Sequence, residues 1–179
     1  MFCNIRLLIL IGVISLVTCG SGIGTYVATA QTPSSAIPLT IDGIECNANE
    51  QFLFHIHAHL SIFVNGQLMH IPPQIGIITE KCIYWLHTHD ESGTIHVESA
   101  IKKDFTLGQF FELWKKKLNL FDKLFSSKDN MPEIYLNGNK LSSGTNYRDI
   151  KLHAHDEIAL IYGAPPSHIP SKYEFPEGL

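Results

Sequence analysis

A period-two alternation over residues 52–64 limits what this chain can fold into more than any other feature. His55, His57, His59 and Ser61 alternate with Ile56, Ala58, Leu60, Ile62 and Val64. Successive side chains of a strand point to opposite faces, so the segment reads as a strand with one apolar and one histidine-bearing face. Asn65-Gly66 follows, a pair suited to the positive φ values of a two-residue hairpin turn, and residues 67–71 return as the partner strand. That register places His70 opposite Ser61, on the face of His59.

A second hairpin is expected from residues 83–89 and 94–98, joined by Asp90-Glu91-Ser92-Gly93, where Asp opening and Gly closing suit a type I turn. Its register sets His87 against His96, Trp85 against Glu98 and His89 against Thr94, all on one side. Leu86, Ile95 and Val97 fall on the other. A helix comes next. Thr106 and Gln109 have capping-box spacing, Phe105 and Phe110 are placed for a hydrophobic staple, and Leu107, Phe110, Phe111, Trp114, Leu118 and Phe121 form one apolar stripe. Lys115, Lys116 and Lys117 lie toward the negative end of the helix dipole. Residues 126–130 read as loop, 134–136 as a short strand ending at Asn137-Gly138, and 158–162 as a final apolar strand.

The fold class expected is therefore α+β: a mixed β-sheet with one main helix packed on one face. Ile56, Leu60, Ile62, Leu86, Phe110, Trp114 and Leu160 are its expected shared core. The order of elements from Phe105 to Tyr162, with Asp156-Glu157-Ile158-Ala159-Leu160-Ile161 near its end, resembles the β-grasp, or ubiquitin-like, fold. The small sulfur carriers of that fold need a free Gly-Gly terminus, whereas this chain finishes Glu177-Gly178-Leu179, so the resemblance does not imply sulfur transfer.

Composition narrows the function classes. With 179 residues, 45% hydrophobic and 17% charged, the chain has enough apolar material for one ordinary domain and is neither a disordered nor a coiled-coil protein. A formal net charge of -4, with 13 basic against 17 acidic residues and no long basic run, excludes a phosphate-backbone binder, so no nucleic acid partner is expected.

Residues 1–30 hold a single charge, Arg6, an apolar run from Leu7 to Val17 and small residues after it, which reads as a signal peptide or an N-terminal membrane anchor. Cleavage after Ala28-Thr29-Ala30, lipidation at Cys19 and retention as one membrane span all remain open, since a span needs roughly 20 apolar residues. Residues 31–45, with Pro33, Ser34, Ser35 and Pro38, read as a linker; 46–163 as the folded domain; and 164–179 as an extended proline-rich tail. Outside the leader only Cys46 and Cys82 remain, and an oxidising exterior favours a disulfide between them over two buried thiols.

Ten histidines, seven of them from His55 to His96, carry the functional information. A polar strand face is ordinarily built from Thr, Lys, Ser and Glu, whereas imidazoles at every second position can converge on one ion. His55, His57 and His59 recur in this way, as do His87 and His89, and His153 and His155. The hairpin registers add His70, His96 and Glu98. These ten residues are the candidate metal ligands. Neutral imidazole suits copper, zinc and nickel, and a carboxylate completes the shell or orients a ligand. Copper is the first expectation, because all-imidazole sites outside the cell suit Cu(II), which heads the affinity order, and zinc, which suits tetrahedral three-histidine sites, is the alternative; Met69 and Met131 are too isolated to make a thioether Cu(I) site. His168, in the tail, reads as solvated.

The segments His55-Ile-His-Ala-His-Leu, Trp85-Leu-His-Thr-His-Asp, Ile95-His-Val-Glu and Leu107-Gly-Gln-Phe-Phe are similar to those of small exported histidine-rich proteins of ammonia-oxidising archaea and some bacteria. That resemblance implies an extracytoplasmic setting with heavy copper demand. The leading expectation is a metal-binding module at the outer face of the membrane, anchored by its N-terminal segment or secreted, whose partners are a metal ion and a membrane-bound metalloprotein. Two other classes stand beside it. One is a histidine-ligated metalloenzyme with Glu98 or Asp90 as general base, although no HExxH, nucleophile elbow or glycine-rich phosphate loop is present. The other is an interaction domain switched by histidine charge.

Overall fold

The structure, a computed structural model, describes residues 39–117 and 131–179. The leader, the first part of the linker, Leu118, Phe121 and the loop expected at 126–130 lie outside the described residues. No helix among the described residues is long and apolar enough to cross a membrane.

Among the described residues two sheets are present. The smaller has the order β1-β2-β6-β5, from Thr40–Ile41 (β1), Ile44–Asn47 (β2), Ile77–Ile78 (β5) and Cys82–Tyr84 (β6). Cys46 and Cys82 form a disulfide with their Cα atoms 5.4 Å apart, tying β2 to β6. The folded unit thus takes in residues 40–45, which the sequence assigns to the linker. Ile44 is fully buried and explains why this stretch is held.

The larger sheet contains Phe54–Val64 (β3), Gln67–Met69 (β4), Leu86–His87 (β7), Thr94–Ser99 (β8), Glu133–Leu136 (β9), Asn139–Lys140 (β10) and Glu157–Tyr162 (β11). Its order is β10-β9-β11-β3-β8-β7, with β4 paired to the end of β3. All neighbours are antiparallel except β3 and β11, so the sheet is mixed. The β3–β4 turn forms at Asn65 (φ 50°) and Gly66 (φ 80°), with Val64 opposite Gln67, the expected register. Leu86 pairs with Val97 and His87 with His96, again as expected.

At the β7–β8 turn, Ser92 N–H donates to Asp90 Oδ1 at 2.9 Å. Gly93 (φ 91°) is required there, because a Cβ would lie 2.5 Å from the Leu60 carbonyl oxygen.

The helix α1, Leu107–Lys117, starts with the expected capping box: Thr106 N–H donates to Gln109 Oε1 at 3.0 Å, and Gln109 N–H to Thr106 Oγ1 at 3.4 Å. Its stripe residues Leu107, Phe110, Phe111 and Trp114 are buried with Leu60, Ile62, Leu86, Ile95, Val97 and Leu160 in one core, and Ile56 packs against it. The histidines of β3 alternate with these core residues and so face away from the helix.

Two expectations on the second hairpin fail: β7 ends at His87, so the His89–Thr94 pair does not form, and Trp85 leaves its expected side. Trp85 does not join the histidine side, because the chain bends there in passing from β6 to β7. Its indole packs edge-on against Phe105 at 6.2 Å and donates to Asn47 Oδ1 at 2.6 Å.

The tail after residue 163 is extended, as its prolines dictate, but it is docked on the sheet. Pro165 passes over Gly66, and Ser171 lies where a Cβ on Gly138 would be, 2.6 Å away. Tyr173 then stacks flat on His59, with ring centroids 3.7 Å apart and planes at 4°.

Candidate metal centre

Cross-strand pairing builds the site. β3 and β8 pair so that His55 lies opposite Glu98 and His57 opposite His96, while β7 sets His87 against the other side of His96. Three adjacent strands therefore present their imidazoles on one face, with β8 in the middle. His57, His87, His96 and Glu98 are buried, and His55 and His89 form the more open rim.

Four donor atoms close a ring. His55 Nε2 is 3.1 Å from His57 Nε2, which is 3.1 Å from His96 Nδ1; this is 3.1 Å from Glu98 Oε1, which returns to His55 Nε2 at 3.3 Å. A tetrahedral ion with bonds of about 2.0–2.1 Å separates its ligands by roughly 3.3–3.4 Å, so these spacings suit a first-row metal. On the other flank His87 Nε2 is 3.2 Å from His89 Nε2 and 3.9 Å from Glu98 Oε2. The donors thus fall into two groups that could hold a metal ion: His55, His57, His96 and Glu98, and His87, His89, His96 and Glu98.

Their protonation suits metal binding. Burial, reinforced at His57 by the neighbouring His96 and His55, lowers the pKa of His57 and that of His87 from 6.5 to about 4. Both rings are neutral at pH 7. His87 Nδ1–H donates to the Tyr84 carbonyl at 3.0 Å, which fixes the tautomer and leaves the Nε2 lone pair facing the site. Burial raises the Glu98 pKa, but the His96 hydrogen bond and the nearby His87, His96 and His55 rings outweigh it, so the carboxyl is held below its ordinary range and is ionised. Glu98 Oε2 is buried and makes no hydrogen bond. An unsatisfied buried carboxylate oxygen is costly, and a cation is the simplest group to satisfy it.

The segment carrying His87 and His89 is held from behind. Thr88, between them, donates from Oγ1 to the Pro72 carbonyl at 3.0 Å and accepts from Ile75 N–H at 3.1 Å. Gly76 lies so close that a Cβ would come within 2.3 Å of the Leu86 carbonyl oxygen.

Four of the ten expected ligands lie outside these groups. His59 shares the face, but Glu157, opposite it on β11, contacts its Nδ1, and its Nε2–H donates to the Ser92 carbonyl at 2.7 Å. Ser61 Oγ satisfies the other Glu157 oxygen at 2.8 Å, and Tyr173 covers the ring, so His59 belongs to a closed network of its own. His70 is displaced because β4 ends at Met69; its ring is 81% exposed and 4.0 Å from Glu91. His153 turns to its neighbour Asp156, with Nδ1 3.1 Å from Oδ2. His155, in a left-handed turn (φ 63°), stacks on Phe175 at 4.9 Å.

Glu157, Tyr173 and Glu50, whose Oε1 lies 3.5 Å from His89 Nε2, were not legible as site neighbours. Glu157 could have been found from the parallel pairing of β3 and β11, but nothing local marks Glu50 or Tyr173.

Compared with protein-family models, curated proteins and solved structures, the chain matches none of them.

Proposed function

We propose that this chain is an extracytoplasmic metal-binding protein that captures, buffers or delivers copper or zinc at the outer face of a membrane. The observation that carries this reading is the ring of His55, His57, His96 and Glu98, with successive donors 3.1–3.3 Å apart around an ionised carboxylate. Copper comes before zinc because the donors are imidazoles with one carboxylate and no thiolate, a set that favours Cu(II), which heads the affinity order of divalent ions. The half-open His55 and His89 offer an ion a way in and out, which suits exchange with a membrane-bound metalloprotein better than permanent burial.

The export signal read in residues 1–30 and the Cys46–Cys82 disulfide, a bond of oxidising compartments, support the location. The order β4-β3-β11-β9-β10, with β3 and β11 parallel, supports the β-grasp reading, on which the β7–β8 hairpin is an insertion bearing four of the six ligands.

A competitive titration of the full chain with Cu(II) and Zn(II) at pH 7.5 tests the reading. Binding tighter than about micromolar, weakened at least 100-fold in a His57→Ala/His96→Ala variant and unchanged in His168→Ala, is expected. Binding no tighter than free imidazole, or equal affinity in all three proteins, would refute it.

A further inference from the structure

Resting on the metal-binding reading, we propose that the site is dinuclear. Glu98 bridges two ions, Oε1 to one held by His55, His57 and His96, and Oε2 to a second held by His87 and His89.

Three observations carry this. First, the donors form two overlapping groups that share His96 and Glu98 and differ in His55 and His57 against His87 and His89. A single ion with bonds of about 2.0–2.1 Å holds its ligands within about 4.2 Å of one another, and His87 and His89 do not fall in the group formed around His55 and His57. Second, the two carboxylate oxygens are differentiated. Oε1 stands 3.1 Å from His96 Nδ1 and 3.3 Å from His55 Nε2, whereas Oε2 is buried, makes no hydrogen bond and points to the flank of His87 Nε2, 3.9 Å away. One ion on Oε1 leaves that second oxygen unsatisfied; two ions satisfy both. Third, His87 is prepared as a ligand independently of the first group. The Tyr84 carbonyl holds its Nδ1 proton, and its Nε2 lies 3.2 Å from His89 Nε2, a ligand–ligand spacing.

Ions bridged by one carboxylate are close enough to interact magnetically, as in two-metal sites with ions about 3.5–4 Å apart. That gives a readout separate from affinity. The full chain is titrated with Cu(II), metal is counted by native mass spectrometry, and the copper spin signal is integrated. The expected result is two equivalents bound, with the integrated signal after the second equivalent less than half of that for two isolated ions.

His89→Ala alters a half-exposed side chain that the fold does not need; it is expected to keep one equivalent and full signal, with an unchanged circular dichroism spectrum. Glu98→Gln is expected to lose the coupling. One equivalent in the parent would overturn the dinuclear centre and leave the metal-binding reading standing. Two equivalents with additive signals, or His89→Ala binding two, would overturn the bridge. No binding at all would overturn both readings.

Discussion

Two histidines two residues apart on one strand have different chemistry here, and the difference lies in what the neighbouring strand supplies. His57 faces His96 on β8 and is held neutral; His59 faces Glu157 on β11 and is fully hydrogen-bonded. His59→Gln should therefore leave metal affinity within about threefold of the parent, which the same competitive titration checks; a 100-fold loss would return His59 to the ligand set.

The pH response follows from the lowered pKa of His57 and His87. In the unfolded chain both titrate near 6.5 and in the folded chain near 4, so between those values the unfolded state holds more protons. Stability without metal is complete above about pH 6.5 and falls as the pH is lowered toward 4. Urea midpoints of metal-free protein should drop from pH 7.5 to 5.5 to 4, and a rise on acidification would contradict these protonation states. Imidazole spacing was readable in the sequence because a strand repeats every two residues. Which histidines gather into the two candidate groups was not, because Glu157 and Tyr173 approach His59 from about a hundred residues away.

At the scale of elements, both hairpin registers were legible where the strands pair, since Asn65-Gly66 and Asp90–Gly93 are turn chemistry, but the pairing stops short of the expected His70–Ser61 and His89–Thr94 pairs. The capping box and helix stripe were legible for the same local reason. The bend at Trp85 was not, because it depends on β6 leaving for a second sheet whose strands are too short to show a period. Leu60 and Trp114 lie in the shared core, so truncating either to Ala should cost on the order of 2 to 5 kcal/mol by chemical denaturation. A loss below about 1 kcal/mol at both would mean the faces of the sheet are inverted. Reducing Cys46–Cys82 should cost about 2–4 kcal/mol, and no free thiol of this pair should be alkylated in the denatured, unreduced protein.

On the scale of the whole molecule, the sheet serves two purposes. Its apolar face, covered by α1, provides the core, and its polar face, partly covered by the tail, carries a buried group of charges and imidazoles that an apolar core would not tolerate. The α+β class was readable from the order of elements, but the docking of the tail was not, since a proline-rich segment carries no periodic signal of what it lies on. On the proposed reading His57 on β3 and His96 on β8 hold metal together on the polar face. Anomalous diffraction from crystals grown with Cu(II) tests it most directly. A metal peak between His57 Nε2 and His96 Nδ1, bonded to both at about 2.0–2.1 Å, is expected; peaks confined to His70, His153 or His168 would contradict the metal-binding reading.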